Sequence, residues 1–125
     1  MTIPADLKYT KEHEWVRIEG DQATIGLTDH AQEALGDIVF VELPELDREL
    51  SIEEAFAVVE SVKAVSDVYS PVAGTVLSIN ESLEETPESV NSDPYGDGWI
   101  AKVQLSNSDT SHLMDAEAYA ALLAE

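Results

Sequence analysis

The chain has no cysteine, which excludes disulfides, thiolate metal sites and a cysteine nucleophile together. Basic residues are scarce: 6 Lys and Arg stand against 26 Asp and Glu in 125 residues, a formal charge of −20. A surface that acidic lacks the basic footprint that DNA or RNA requires, and adsorption to anionic lipid is disfavoured on the same ground. No apolar run approaches the ~20 residues of a membrane span. Met1 leads into Ile3, Pro4 and Asp6 without a basic, apolar signal segment. That predicts a cytoplasmic protein, or a mature mitochondrial one whose transit segment has been removed. The three histidines, His13, His30 and His112, show neither His-x-His nor i, i+4 pairing, so no metal site is expected. Nor is there a Ser-His-Asp order or a phosphate-cradling glycine loop.

What is present suffices for a fold. The hydrophobic content of 44% supports a packed core, and the length predicts one domain over residues 1–125. Size scaling gives roughly 6,600 Å² of folded surface against roughly 20,000 Å² unfolded, so about two thirds is buried without staples. Over that surface the excess charges sit roughly 18 Å apart, beyond the ~8 Å screening length. Partners should present positive or neutral faces.

The local patterns are mostly those of short strands. Residues 13–19 alternate Trp15, Arg17 and Glu19 against Val16 and Ile18, the period of a half-buried strand. Gly20-Asp21 turns the chain into a second arm from Ala23 to Leu27. Thr28 as N-cap, Asp29 in the first turn and Gly36 as C-cap bound a helix over 29–35. Residues 38–43 read as a strand that Pro44 ends, and the acidic stretch 45–54 as a loop. Further strands are expected at 55–61, 66–70, 75–79 and 99–105, with a turn at 62–65. Residues 81–94 read as a loop with a helical turn in which Pro87 takes a first-turn position. Asp93 and Asp97 beside Gly96 and Gly98 read as turn formers, since their spacing does not fit a calcium loop. Asp115 caps an Ala/Leu-rich helix over 116–124. Trp15, Phe40, Phe56, Tyr69 and Trp99 are expected to pack in or against the core. The whole reads as a sandwich or barrel of short strands with a trailing helix. The segments 39–61 and 66–89 echo each other weakly on either side of Lys63, suggesting two half-domains that meet at an exposed hairpin.

Lys8, Lys11, Lys63 and Lys102 are the only lysines, and Lys63 is the only one between residues 12 and 101. At a hairpin tip, strands fix the position of a side chain that solvent still reaches. A modifying enzyme could then select one amine of four. Composition alone favours a solvated turn cation beside Glu60 and Asp67 that contributes little stability. The echo around Lys63 brings the two readings level.

The run from Glu60 through Ser61, Val62, Lys63, Ala64, Val65, Ser66, Asp67, Val68, Tyr69 and Ser70 to Pro71 resembles the lipoyl-attachment segment of the glycine cleavage H-protein family. So do residues 26–44 (GLTDHAQEALGDIVFVELP) and 91–99 (NSDPYGDGW). Three blocks in the right order make the resemblance specific, and it spans the chain from about Leu7 to the end. Biotin carriers resemble the same fold, but their lysine lies between methionines, where Val62 and Ala64 stand here.

The resemblance implies a mainly β fold of the barrel-sandwich hybrid type, lipoyl/biotinyl-like, with a core over about 7–105 and a helix over about 115–124. It implies lipoic acid amide-linked to Lys63 and a non-catalytic, monomeric shuttle. In that family the pyridoxal-phosphate-dependent glycine decarboxylase loads an aminomethyl group, the tetrahydrofolate-dependent aminomethyltransferase collects it, and dihydrolipoamide dehydrogenase reoxidises the dithiol. A lipoate-attaching enzyme must read the hairpin, and Glu60 and Ala64 beside the lysine are expected in its recognition surface. About eleven bonds from Cα to the dithiolane give a reach of roughly 13 Å, and tethering gives up to mM effective concentration. The loaded arm carries a protonated amine. Asp67 on the return strand and Glu14 before Trp15 are the expected carboxylates of a cleft that holds it. Two rival roles are a lipoate donor to other lipoyl domains and an unmodified acidic interaction module.

Overall fold

Sheet pairing in the computed structural model, which describes residues 2–107 and 109–124, is antiparallel throughout. Six strands form one sheet in the order β1-β2-β3-β9-β8-β5: β1 Lys8–Tyr9, β2 Glu14–Glu19, β3 Gln22–Leu27, β9 Ala101–Leu105, β8 Gly74–Ile79 and β5 Glu49–Leu50. Three more form a second sheet in the order β4-β6-β7: β4 Ile38–Glu42, β6 Ala55–Ser61 and β7 Val65–Tyr69. Four helices complete the chain: α1 Asp29–Leu35, α2 Ser82–Glu85, α3 Ser89–Ser92 and α4 Ala116–Leu123. The mainly β class with short helices and a C-terminal helix is the one expected. Each of the two echoing segments gives strands to both sheets: β4, β5 and β6 come from the first, β7 and β8 from the second.

The core lies where the two sheets face each other. Val16, Ile25, Val76 and Val103 come from the six-stranded sheet and Val41, Val59 and Val68 from the other, each at most 1% exposed. Helix α1 follows its sequence signals closely. Thr28 Oγ1 accepts from the Ala31 amide at 3.2 Å, and Gly36 closes the helix at φ 81°, a left-handed angle that favours glycine.

Strand β2 departs from the expected alternation, because both its faces are covered. Val16 enters the main core, while Trp15, also fully buried, belongs to a second cluster with Leu7, Tyr9 and Tyr119. Helix α4 and the 94–99 loop supply that cover: Trp15 Nε1 donates to Pro94 O at 2.9 Å, and Tyr119 stacks on Tyr9 at 4.7 Å between ring centroids. A period-2 pattern assumes one wet face, and a helix from the far end of the chain removes it here.

Other differences are local. The acidic stretch 45–54 contains β5, whose two residues pair with β8 (Glu49 with Thr75, Leu50 with Gly74). Strand β1 carries no alternation long enough to read. Residues 81–94 form two short helices anchored by the buried Leu83 and Val90, and Pro87 precedes the Glu88 N-cap of α3 rather than sitting in its first turn. Trp99 lies ahead of β9, half-buried, with the Lys102 ammonium 5.3 Å over its ring.

Candidate functional site

Strands β6 and β7 pair Val58 with Asp67, Val59 with Ser66 and Glu60 with Val65, leaving Val62, Lys63 and Ala64 as the turn. Ser61 organises that turn. Its amide donates to Ala64 O at 2.8 Å, and its Oγ accepts from the Ala64 and Lys63 amides at 3.0 and 3.3 Å. These bonds fix the backbone at Lys63 without touching its side chain. Val62, Lys63, Ala64 and Val65 are all exposed, and Glu60 is half-buried behind them.

The hairpin leans on the junction between α1 and β4. The Val62 amide donates to Asp37 O at 3.1 Å, and a methyl group placed on Gly36 would lie 3.4 Å from Lys63 Cε. The lysine stem therefore rests on a residue with no side chain. Gly36 was readable as a helix cap; its contact with Lys63 depends on how the hairpin packs against α1, and no sequence signal announces that.

The register fixes what lies on the outer face of the three-stranded sheet. One row runs Phe40, Glu60, Val65 and the next Glu42, Val58, Asp67, while Val41, Val59 and Val68 point into the core. Phe40 is 48% and Val65 69% exposed, so the solvent face alternates apolar and acidic side chains. Asp67 is exposed on β7, four residues beyond Lys63, or roughly 13 Å at strand spacing. It lines a groove of about 590 Å³ with Glu42, Pro44, Arg48, Phe56 and Val58.

Glu14 sits apart from that groove. It lines a different cavity, of about 280 Å³, with Thr10, Ile52, Tyr69, Pro71 and Met114. Tyr69 is the next outward residue after Asp67 on β7, so the two cavities adjoin along one strand. Glu14 is only 2% exposed. Its Oε1 accepts from Thr10 Oγ1 at 2.6 Å and its Oε2 from the Tyr69 amide at 3.3 Å. Burial pushes its carboxyl up to about 7, against the opposing pull of those two hydrogen bonds.

His13 and His30, distant in sequence, meet in space with ring centroids 4.4 Å apart. His13 adopts φ 71°, and its Nδ1 lies 2.8 Å from the Tyr119 hydroxyl, which also contacts Thr28 Oγ1 at 2.8 Å. Burial, followed by the neighbouring His30, lowers the His13 pKa. The absence of local spacing did not exclude this pairing, because β2 and α1 bring the rings together. No group of three or more His, Asp or Glu side chains able to hold a metal occurs among the described residues. Asp93 does act as a turn former: its Oδ2 accepts from the Asp97 amide at 3.0 Å. No described helix is long and apolar enough to cross a membrane.

Fold and site together define a small two-sheet β protein of lipoyl-like architecture that displays one lysine at the tip of a hairpin. The glycine cleavage H-protein family model matches residues 7–125. The chain is 59% identical over 123 residues to the glycine cleavage system H protein of Rubrobacter xylanophilus, covering 98% of this chain and 96% of that one. It is 56% identical over 124 residues to the namesake from Symbiobacterium thermophilum, with 98% and 97% covered. The crystal structure of a glycine cleavage system H protein from Mycobacterium marinum superposes with a TM-score of 0.91 at 39% identity, covering 98% of this chain and all of that one. The chain belongs to the glycine cleavage H-protein family.

Proposed function

We propose that the whole chain acts as one cytoplasmic, monomeric carrier domain, with lipoic acid amide-linked to Lys63, and that it serves glycine cleavage without catalysing a step itself. The observation behind this reading is an exposed lysine whose backbone is locked by Ser61 at the tip of the β6–β7 hairpin, in a chain of this family. The residues present fit such a group. The amine is open to an attaching enzyme, and the outer face beside it offers Phe40, Val58 and Val65 for an aliphatic arm to lie on. Bound lipoate supplies a disulfide that opens to accept an aminomethyl group and a dithiol that remains after delivery. The decarboxylase, the aminomethyltransferase and dihydrolipoamide dehydrogenase are the enzymes visited in turn. Intact mass with site mapping, after expression with a lipoate-attaching enzyme, tests the reading. Modification confined to Lys63 supports it, and an unmodified chain overturns it.

The attaching enzyme reads Glu60 and Ala64 beside the lysine. Glu60 lies between the apolar Phe40 and Val65 in its row, so its charge dominates that strip. Glu60→Lys is expected to lower the lipoylation rate roughly tenfold, about 1.4 kcal/mol, in a chain that still folds. Full-rate modification of that variant would remove Glu60 from the surface.

Asp67 and Glu14 hold the loaded arm. Asp67 stands at the arm's full reach of roughly 13 Å, and Glu14, bonded to the Tyr69 amide, lies just past it, where only the cargo carried beyond the dithiolane meets it. Both carboxylates attract the protonated amine of the cargo and keep it against β7, Asp67 from the solvent side and Glu14 from the buried side. Asp67→Asn combined with Glu14→Gln is expected to raise ammonia release from loaded protein several-fold. An unchanged rate excludes this role for the pair.

A further inference from the structure

The seat under Lys63 is itself held in place from outside the hairpin. Asn91, on α3, makes no hydrogen bond to the lysine, but its side-chain amide binds the segment the lysine rests against and the helix before it. Its Nδ2 donates to Gly36 O at 2.9 Å and to Gln32 Oε1 at 3.0 Å, and its Oδ1 accepts from the Ile38 amide at 2.9 Å. Gln32 is tied in turn to Asp29 Oδ1 at 2.7 Å. Residues 36–38 are thus clamped on both sides of Asp37, whose carbonyl receives the Val62 amide. Gly36 needs that support. Its φ of 81° and ψ of −157° lie outside the regions that hydrogen bonding within a helix or sheet would hold. Released from Asn91, the junction loses two hydrogen bonds, at Gly36 O and at the Ile38 amide, and the hairpin tip is left with its internal turn, the Val62–Asp37 bond and the pairing of Ser61 with Ile38 on a looser seat.

We propose that Asn91 is a positioning residue for acylation of Lys63: it pins the Gly36–Ile38 junction as a seat for the lysine stem, so that the hairpin meets the lipoate-attaching enzyme already aligned. This rests on the reading of Lys63 as the attachment site. The surface recognised during attachment is then built from three elements, the hairpin, the C-terminus of α1 and α3. Only the first is local in sequence to the lysine. An enzyme that binds the aligned hairpin sees a lower effective concentration of it when the junction is loose, which raises KM and leaves kcat alone.

Steady-state lipoylation of the apo chain by a lipoate-attaching ligase, with lipoate and ATP, tests this. The Asn91→Ala variant is expected to raise KM for the apo chain roughly tenfold, as a drop of the aligned conformer to about a tenth of the population requires, with kcat within twofold. Val103→Ala, which removes core packing in the six-stranded sheet and leaves unaltered the residues of the three-stranded sheet that carries the junction, controls for lost stability and is expected to leave KM unchanged. Asn91→Asp keeps the acceptor for the Ile38 amide and loses both donors, so only partial rescue is expected. Independently of any acylation, hydrogen exchange at the Val62 amide should quicken in Asn91→Ala more than in Val103→Ala. Equal KM and equal Val62 exchange in the two alanine variants overturn the role of Asn91 while leaving Lys63 as the attachment site. A wild-type chain that takes no lipoate overturns both.

Discussion

Replacing Lys63 with arginine is expected to abolish lipoylation and, with it, glycine-dependent carbon dioxide exchange by the decarboxylase, down to the level measured with no carrier added. The reason is chemical. Attachment needs a neutral amine to attack an activated carboxyl, and a guanidinium stays protonated and non-nucleophilic at any working pH. The fold should not notice. Lys63 is exposed and its stem only rests on Gly36, and surface changes of this kind fall within about 0.5 kcal/mol. No other lysine can stand in. Lys8 lies on β1, Lys11 lines a shallow cavity with Glu12 and Tyr69, and Lys102 is held in β9 between Thr24 and Ser78 with its ammonium over Trp99. Lys11 also sits at an exposed turn, between β1 and β2, but among the described residues its own amide has no hydroxyl acceptor of the kind Ser61 gives Lys63. Exchange activity in the arginine variant equal to wild type would sink the carrier reading. Acylation appearing at a second lysine would show that the hairpin does not select the amine.

The reading of Lys63 as an attachment site came from the family resemblance, but it was legible as a hairpin-tip cation because its signals are local: a β-rich run, a short turn, a second run, and a cation alone among acids. The 29–35 helix was legible for the same reason, with Thr28 and Gly36 each doing in space what their side chains predict in sequence. What escaped is what tertiary contact decides. Trp15 and Val16 are buried back to back because α4, about a hundred residues later, covers the second face of β2. His13 and His30 touch because β2 and α1 share a corner. Ser61 reads as an ordinary polar residue at a strand end, yet its hydroxyl caps the turn that carries Lys63. Asp67 and Glu14 are paired in the sequence only through the cationic cargo that a loaded arm would bring to carboxylates. In space they line separate cavities that adjoin along β7, with Asp67 in water and Glu14 out of it.

That contrast makes Glu14 the group whose replacement should change stability most with pH. Its carboxyl is pushed from the ordinary 4.5 up to about 7, so between those values the folded chain holds a proton that the unfolded chain has lost. Stability from this group is complete below pH 4.5, declines at about 1.4 kcal/mol per pH unit as pH rises toward 7, and is gone above it. The whole effect is about 3 kcal/mol, worth roughly 10 °C in Tm for a chain of this length. Glu14→Gln keeps an acceptor for the Tyr69 amide and has no charge to bury. Its Tm relative to wild type is therefore expected to climb by roughly 10 °C between pH 5 and pH 8 in thermal melts. Self-repulsion from the −20 charge also grows over that range, but it acts on both proteins and cancels in the difference. A difference that stays flat with pH would mean that Glu14 is ionised in the fold throughout. The same linkage bears on the cargo. A protonated amine seated against Glu14 would hold the carboxylate ionised, offsetting the burial cost that the empty site suffers at pH 8. Loading should then raise Tm more at pH 8 than at pH 6 in the wild-type chain, and equally at both in Glu14→Gln. Equal gains in the wild-type chain would place the cargo elsewhere on β7, with Asp67 as its only carboxylate.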